Sequence, residues 1–327
     1  MLFVDNNETT DPRMNLAIEE HLLRNLHVVE PLLLFYINAP SVIIGRNQNS
    51  VEEIDPNFVR ENNIHVVRRL SGGGAVYHDL GNLNFSFITH GKQDLHNFSK
   101  FIGPVVEVLQ SLGVNAVEQG KSDIFVDGKK ISGNAQYAST GRMFSHGTIL
   151  FNTNLENMLR AINPRQVQIE SKAVQSVRSF VTNVQEYLPK GMDIIALRDA
   201  LLRGIFGGDA VPMYVLTERD WEQIREIATQ RYMTWDWNYG RSPAFNIQKS
   251  EKLPVGKLDA RIWVEKGHIQ TIKIYGDFSG HRDVAELEKQ LTGLRYDWDA
   301  IHEALAELDL SPFFGPLEKE IFLNLLL

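Results

Sequence analysis

The sequence predicts a mixed α+β fold, and three features carry that reading. Short apolar runs with strand character (Leu32–Ile37, Ser41–Gly45, Ile64–Val67 and Leu83–Ile88) are interleaved with long helical stripes. These elements do not follow the regular β-α-β alternation of a doubly wound parallel sheet. Asp127-Gly128 separates two further strand-like runs, and Asp-Gly is a strong signal for a two-residue hairpin. With 327 residues and 43% hydrophobic content, the chain can fill a real core in one large or two ordinary domains.

The elements follow in order. Asp11-Pro12 reads as a helix start, with Pro at the first helical position. Met14, Ile18, Leu22 and Leu26 then recur every four residues. Asn38-Ala39-Pro40 turns the chain between the first two strands. Phe98, Phe101, Ile102, Val105, Val106, Leu109 and Leu112 form a second helical stripe, closed by Gly113. Ser122–Val126 and Lys129–Ser132 are the arms of the Asp-Gly hairpin, and His146–Asn152 is a further strand. Asp193–Phe206 and Glu218–Tyr232 read as helices.

The pattern breaks around Trp235–Ser250. The aromatic cluster Trp235-Asp236-Trp237-Asn238-Tyr239 reads either as interdomain packing or as a binding patch, and the polar stretch Lys249–Pro254 reads as linker. A small β-β-α-α unit follows over Gly256–Glu265, Ile269–Tyr275, Val284–Leu291 and Trp298–Leu308. The expected organisation is a large domain over 1–240, a linker over 241–252 and a small C-terminal domain over 253–327.

Composition narrows the function. A net charge of -8 argues against a general nucleic-acid binder. No run of about 18 apolar residues is present, so no membrane span is expected. Met1-Leu2-Phe3-Val4-Asp5-Asn6 lacks the charged start and apolar core of a secretory signal, and a cytoplasmic location is expected. The chain has no cysteine, which removes disulfides, thiolate metal sites and cysteine nucleophiles together.

The densest chemistry lies in Arg68-Arg69-Leu70-Ser71-Gly72-Gly73-Gly74-Ala75-Val76-Tyr77-His78-Asp79. Consecutive glycines suit a backbone that must approach a ligand closely or converge its N–H groups on an anion. Arg68 and Arg69 add positive charge suited to phosphate or carboxylate. The string is neither a P-loop, since Lys-Ser or Lys-Thr does not follow, nor a dinucleotide fingerprint. In the Asp-Gly hairpin, strand alternation puts Lys130 and Ser132 on one face and Lys129 and Ile131 on the other. Lys130 is a candidate donor to developing negative charge, or else a solvated hairpin lysine. Asp123 is a candidate magnesium ligand, or else an exposed turn residue. Asp79 is a second candidate anion or a turn cap, and His78 and His146 can orient polar groups.

The longer string resembles the signature of the lipoate–protein ligase A family. Four further segments resemble that family in the same order: Ser41–Asn49, Lys121–Val126, Lys130–Ala135 and His146–Leu150. A fifth, Ser176–Asn183, resembles the segment after its core, with Phe180 where the family commonly has Arg. The resemblance implies an α+β fold, with a mixed-sheet catalytic domain of the biotin/lipoate ligase type and a small C-terminal α+β accessory domain. It implies ATP and Mg2+ as cofactors, lipoate as substrate and a lipoyl-AMP intermediate. The expected protein partners are the lipoyl domains of 2-oxoacid dehydrogenase E2 subunits and the glycine cleavage H protein.

Residue by residue, the resemblance implies Lys130 as the catalytic lysine. Arg69, Ser71, Gly72, Gly73, Gly74, Ala75, Val76, Tyr77, Lys130, Ser132 and His146 are implied to hold ATP and lipoyl-AMP, with Asp123 at the metal. Other readings are a lipoyl or octanoyl transferase, a biotin ligase, or a non-catalytic adenylate-binding relative. The first of these needs a cysteine nucleophile, which the chain lacks.

Overall fold

The computed structural model describes residues 1–139, 141–162, 180–239, 247–265, 267–296 and 298–327. These divide into two compact units. The first comprises Met1–Ile43, Glu52–Val67 and Val76–Thr234, and the second Ile44–Val51, Arg68–Ala75 and Trp235–Leu327.

In chain order the elements are β1 (Leu2–Val4), α1 (Pro12–Arg24), β2 (Leu32–Ile37), β3 (Ser41–Ile44), α2 (Ser50–Glu53), α3 (Pro56–Glu61), β4 (His65–Arg68), β5 (Val76–His78), β6 (Asn82–His90) and α4 (Ser99–Ser111). There follow β7 (Ala116–Gln119), β8 (Asp123–Val126), β9 (Lys129–Ser139), β10 (Arg142–Leu150), α5 (Leu155–Ala161), α6 (Ile194–Phe206), β11 (Met213–Tyr214), α7 (Glu218–Ile227) and α8 (Trp235–Asn238). The C-terminal elements are β12 (Ile247–Leu253), β13 (Gly256–Glu265), β14 (His268–Gly276), α9 (Val284–Leu291), α10 (Trp298–Ala306), α11 (Ser311–Phe314) and α12 (Lys319–Leu326).

The first unit is built on an eight-stranded sheet of order β11-β1-β2-β6-β10-β9-β8-β7. It is mixed: β1 runs parallel to β2 and β11, while β6, β10, β9, β8 and β7 pair antiparallel in turn. One face carries the apolar core. Leu83, Phe85 and Phe87 of β6 alternate onto it and meet Phe101, Ile102, Val105 and Leu109 of α4, together with Leu197 and Leu201 of α6. Asp11 caps α1 by accepting from the Arg13 N–H, with Pro12 just inside. Asp193 caps α6, which ends on Gly207 in the left-handed conformation.

The Asp-Gly turn forms as expected: Asp127 (φ 49°) and Gly128 (φ 77°) are both left-handed, as a type I′ turn requires. The strand after it differs from expectation. β9 runs on to Ser139, because its second part, from Asn134, pairs with β10 after its first part has paired with β8. The β8–β9 register also slips between Ile124 and Phe125, leaving Ile131 as the extra residue of a bulge. The simple alternation expected for Lys130 to Ser132 is therefore broken, and Ile131 and Ser132 are both buried.

The second unit contains a three-stranded antiparallel sheet, β12-β13-β14. Its core joins Leu258, Ala260, Ile262, Ile272 and Ile274 to Leu287 and Leu291 of α9 and to Phe313, Phe314 and Phe322. Residues 247–252 were expected to be linker. They are strand β12, paired along its length with β13, because backbone pairing with a strong neighbour outweighs a polar sequence at a sheet edge. Residues 240–246, and the Ser176–Ser179 part of the last family-like segment, lie outside the described residues.

Helix α1 buries a charged run, Glu19-Glu20-His21, in the first unit. His21 Nε2 lies 3.0 Å from Asp220 Oδ1. Burial pushes the His21 pKa below its ordinary value, even though Asp220 pulls it up. Burial alone would raise Asp220, but donation from Thr217, Tyr214 and His21 brings it below the usual carboxylate value. The Tyr214 hydroxyl is pushed up to about 12 by burial and by its bond to Asp220. Both members of the His21–Asp220 pair have depressed folded-state values, so both favour the folded chain above their unfolded values and lose that contribution as pH falls. We expect the thermal midpoint to drop as pH is lowered from about 7 through the histidine range to about 5. His21→Gln should flatten that slope in a calorimetric series, and an unchanged slope would refute the linkage.

Candidate active site

Two clusters hold the expected site residues, one in each unit. In the second unit, the loop after β4 folds on itself. The Arg69 N–H donates to Ile44 O (2.9 Å), and the Arg46 N–H donates to Ser71 O (2.9 Å). The Arg69 guanidinium is buried and turned inward. Its Nε donates to Ser71 Oγ (2.9 Å), and its Nη2 donates to the carbonyls of Gly72 (2.6 Å) and Gly74 (2.8 Å).

The three glycines differ in what they require. Gly73 has φ +88°, which a side chain rarely tolerates, and a Cβ there would lie 3.0 Å from Arg69 Nη2. At Gly72 a Cβ would collide with the carbonyl of Phe278, so the close approach there is to the protein's own backbone. Gly74 has open space around it. Arg68, read from sequence as a phosphate partner alongside Arg69, is 1% exposed and spends its guanidinium on protein oxygens.

Beyond Ala75 the chain enters β5 in the first unit. Ser41, Val42 and Ile43 of β3 face His78, Tyr77 and Val76. Burial, with Asp79 nearby, raises the Tyr77 hydroxyl above its ordinary value, and a bond with Asn157 opposes the rise. His78 Nδ1 sits 2.9 Å from Asn38 Nδ2. Asp79 takes the turn role: its carboxylate accepts from the Gly81 N–H (2.9 Å) and the Asn154 N–H (2.8 Å).

The second cluster lies on β8, β9 and β10 of the first unit. Lys130 Nζ donates to Asp123 Oδ2 at 2.8 Å, with the two side chains 37% and 29% exposed. A Cβ on Gly133 would fall 3.1 Å from that ammonium, so the missing side chain leaves room for it. Ser132 Oγ accepts from Asn134 Nδ2 (3.1 Å), which also donates to Ser122 O (2.7 Å). A polar cavity of about 490 Å³ runs beside this strand, lined by Lys129, Thr153, Asn154, Thr182, Asn183 and Glu186 among others. His146 is buried on β10, with Nδ1 at 2.9 and 3.1 Å from the two oxygens of Glu19.

The structure thus pairs Lys130 with Asp123, joins Arg69 to Ser71 and the glycines, and sets His146 against Glu19. Glu19, Gly133 and Asn134 were missed as candidates. The signal for Glu19 was a run of three titratable residues on a helix that otherwise buries apolar side chains. Among the described residues no group of three or more His, Cys, Asp or Glu could hold a metal.

The first unit presents a lysine–aspartate pair on a mixed sheet and the second a glycine-rich loop shaped by a buried arginine, features of a lipoyl ligase-type enzyme. Residues 11–206 match the family model for the lipoyl protein ligase A/B catalytic domain, and residues 242–326 match that for the bacterial lipoate protein ligase C-terminus. The chain belongs to this family and is an enzyme of the lipoate–protein ligase class.

It is 51% identical to the lipoate-protein ligase LplJ of Bacillus subtilis, and 46% identical to lipoate–protein ligase 1 of Staphylococcus aureus, with 100% of each chain covered in both cases. Among solved structures it resembles the bi-partite lipoate protein ligase of Thermoplasma acidophilum, studied with its E2 lipoyl domain. That match has TM-score 0.67 and 31% identity, and covers 75% of this chain and 99% of that one. A lipoate-protein ligase A bound with ATP matches at TM-score 0.61 and 32% identity, over 73% of this chain and 97% of that one.

The glycine geometry gives an internal contrast. Gly73→Val forces a β-branched residue into left-handed backbone and should cost roughly 1–3 kcal/mol. Gly74→Ala should stay within about 0.5 kcal/mol of wild type. Urea unfolding of both variants checks this, and equal midpoints would show that Gly73 is not constrained.

Proposed function

We propose that the chain activates lipoate with ATP to lipoyl-AMP, releasing pyrophosphate, and then transfers the lipoyl group to a lysine ε-amine of an acceptor protein. The Lys130–Asp123 pair on the β8–β9 hairpin is the observation that carries this reading. In the first half-reaction a carboxylate oxygen of lipoate bonds to the α-phosphorus, and the bond to pyrophosphate breaks. In the second, the neutral acceptor amine attacks the acyl carbon, AMP leaves with the electron pair, and the nitrogen gives up its proton. The family membership and the relatives above support lipoate and ATP as substrates.

Each residue has a defined part. Lys130 supplies positive charge where negative charge builds on the α-phosphate and carboxylate oxygens, and Asp123 keeps its ammonium aimed. Gly72, Gly73, Gly74 and Ala75 form the adenylate cradle, with Arg69 and Ser71 fixing its shape, and Val76 and Tyr77 follow as ligand-contacting residues of β5. Ser132 and His146 hold polar positions on β9 and β10 of the first unit. Asp123 fits Mg2+ as one carboxylate donor, since that ion takes the rest of its shell from phosphates and water. Without any cysteine, acyl transfer passes through the adenylate and not through a thioester on the chain.

We assign the catalytic domain to the segment 1–240 and extend the accessory domain back from the expected 253–327 to include β12, a reading supported by the strand pairing and by the family match that begins at residue 242. Acceptors are lipoyl domains of E2 subunits or the H protein, a reading supported by the E2 lipoyl domain of the archaeal relative. Among the described residues no helix is long and apolar enough to cross a membrane.

The decisive assay combines the purified chain with ATP, Mg2+ and lipoate, reads pyrophosphate, then adds candidate acceptors and reads lysine mass shifts. Lys130→Ala should lower pyrophosphate release about 100- to 1000-fold with the fold retained, while Lys129→Ala stays near wild type. Normal release by the Lys130 variant would overturn the assignment.

A further inference from the structure

We infer that Arg68 and Asn238 are positioning residues for the glycine loop, and that they set its affinity for ATP without touching the nucleotide. The inference rests on the proposed adenylating function and adds to it residues distant in sequence.

Arg68 is among the largest fully buried side chains of the protein. Its Nη1 donates to the carbonyls of Gly45 (2.9 Å), Arg46 (2.9 Å) and Gln48 (2.6 Å). Its Nη2 donates to Ser50 Oγ (2.7 Å) and Asn238 O (3.3 Å), and its Nε to Trp237 O (2.9 Å). The backbone of the same residue is also held. Its N–H donates to Asn238 Oδ1 (2.9 Å), and its carbonyl accepts from Trp237 Nε1 (2.8 Å). The Ser50 hydroxyl donates in turn to the Asn238 carbonyl.

One guanidinium thus ties together residues 45–50, the base of the glycine loop and the end of α8 at 237–238. The next residue in the chain is Arg69, which shapes Gly72 and Gly74. The other end of the loop is pinned as well. Gly45 and Gly73 approach so closely that a Cβ on Gly45 would strike the Gly73 carbonyl, and Gly72 is in the same position against Phe278. The Gly276 N–H donates to Asn47 O (2.8 Å), and Arg46 Nη2 pairs with Asp283 at 2.8 Å. Backbone N–H groups act as an anion cradle only when their directions are fixed in advance. Arg68 supplies that fixation with planar, multi-directional donors, which a lysine cannot reproduce.

The test uses the full chain with Arg68→Lys, Asn238→Ala and the double variant, assayed well below each thermal midpoint. KM for ATP and kcat are taken from pyrophosphate release at saturating lipoate and Mg2+. We expect each single variant to raise KM for ATP about tenfold with kcat changed much less, as lost alignment of binding groups would give. The double variant should be no worse than the poorer single one, because both act through one link. An unchanged KM in both single variants would overturn the inference. So would losses that appear only in kcat and track the fraction of unfolded protein, since that is the mark of a purely structural role. Absence of pyrophosphate release by the wild-type chain would instead refute the adenylating function itself.

Discussion

A charge taken out of water must be answered where it stands, and this constraint shapes both units. Leaving one unpaired costs several kcal/mol, so the surrounding backbone is organised to satisfy it. Arg68 is met by a shell of carbonyls drawn from residues 45–48 and 237–238. In the first unit, Glu19 meets His146 across the sheet, while Glu20 meets Arg24, Arg231 and the Tyr232 hydroxyl. His21 meets Asp220. Three consecutive residues of one helix thus reach three different partner sets. That fixes the rotation of α1 more tightly than an apolar stripe could, because an apolar contact tolerates sliding and a hydrogen bond does not.

Backbone irregularity does the equivalent work at the candidate site. A regular β8–β9 ladder would set Lys130 and Ser132 on one face. The bulge at Ile131 instead buries Ile131 and Ser132 together and leaves Lys130 partly exposed against Asp123. A lysine that must meet a substrate needs this intermediate setting. Full burial would penalise its charge, and full exposure would leave it mobile and screened. Gly133 completes the arrangement by omitting the side chain that would crowd the ammonium.

Much of this was legible in the sequence, for identifiable reasons. Helices α1 and α6 carry explicit N-caps and α4 a strong apolar stripe followed by Gly113, and the ends of all three fall within a residue or two of the expected positions. Asp127-Gly128 announced its turn. The extent of β9 and the existence of β12 were hidden. Both are polar strands held by their neighbours, and no local pattern encodes a neighbour. Lys130 and Asp123 stood out through the family-like motif, and the structure supplies their direct contact. The role of Arg68 was misread, because adjacency to Arg69 suggested a shared task. Successive residues of a strand point to opposite faces, and here one arginine shapes the loop while the other anchors its base.

The division of the chain in space adds a last consequence. By sequence, residues 44–51 and 68–75 lie well inside the stretch matching the catalytic domain family. In the fold they pack into the second unit, along with the C-terminal sheet. The glycines explain why. Gly72 has no room for a side chain because the Phe278 backbone occupies that space, so its small size serves the assembly of the second unit before it serves any ligand. Gly74, with nothing near it, has no such structural reason to be glycine. A run of three glycines therefore divides into one demanded by packing, one by its positive φ, and one left facing open space.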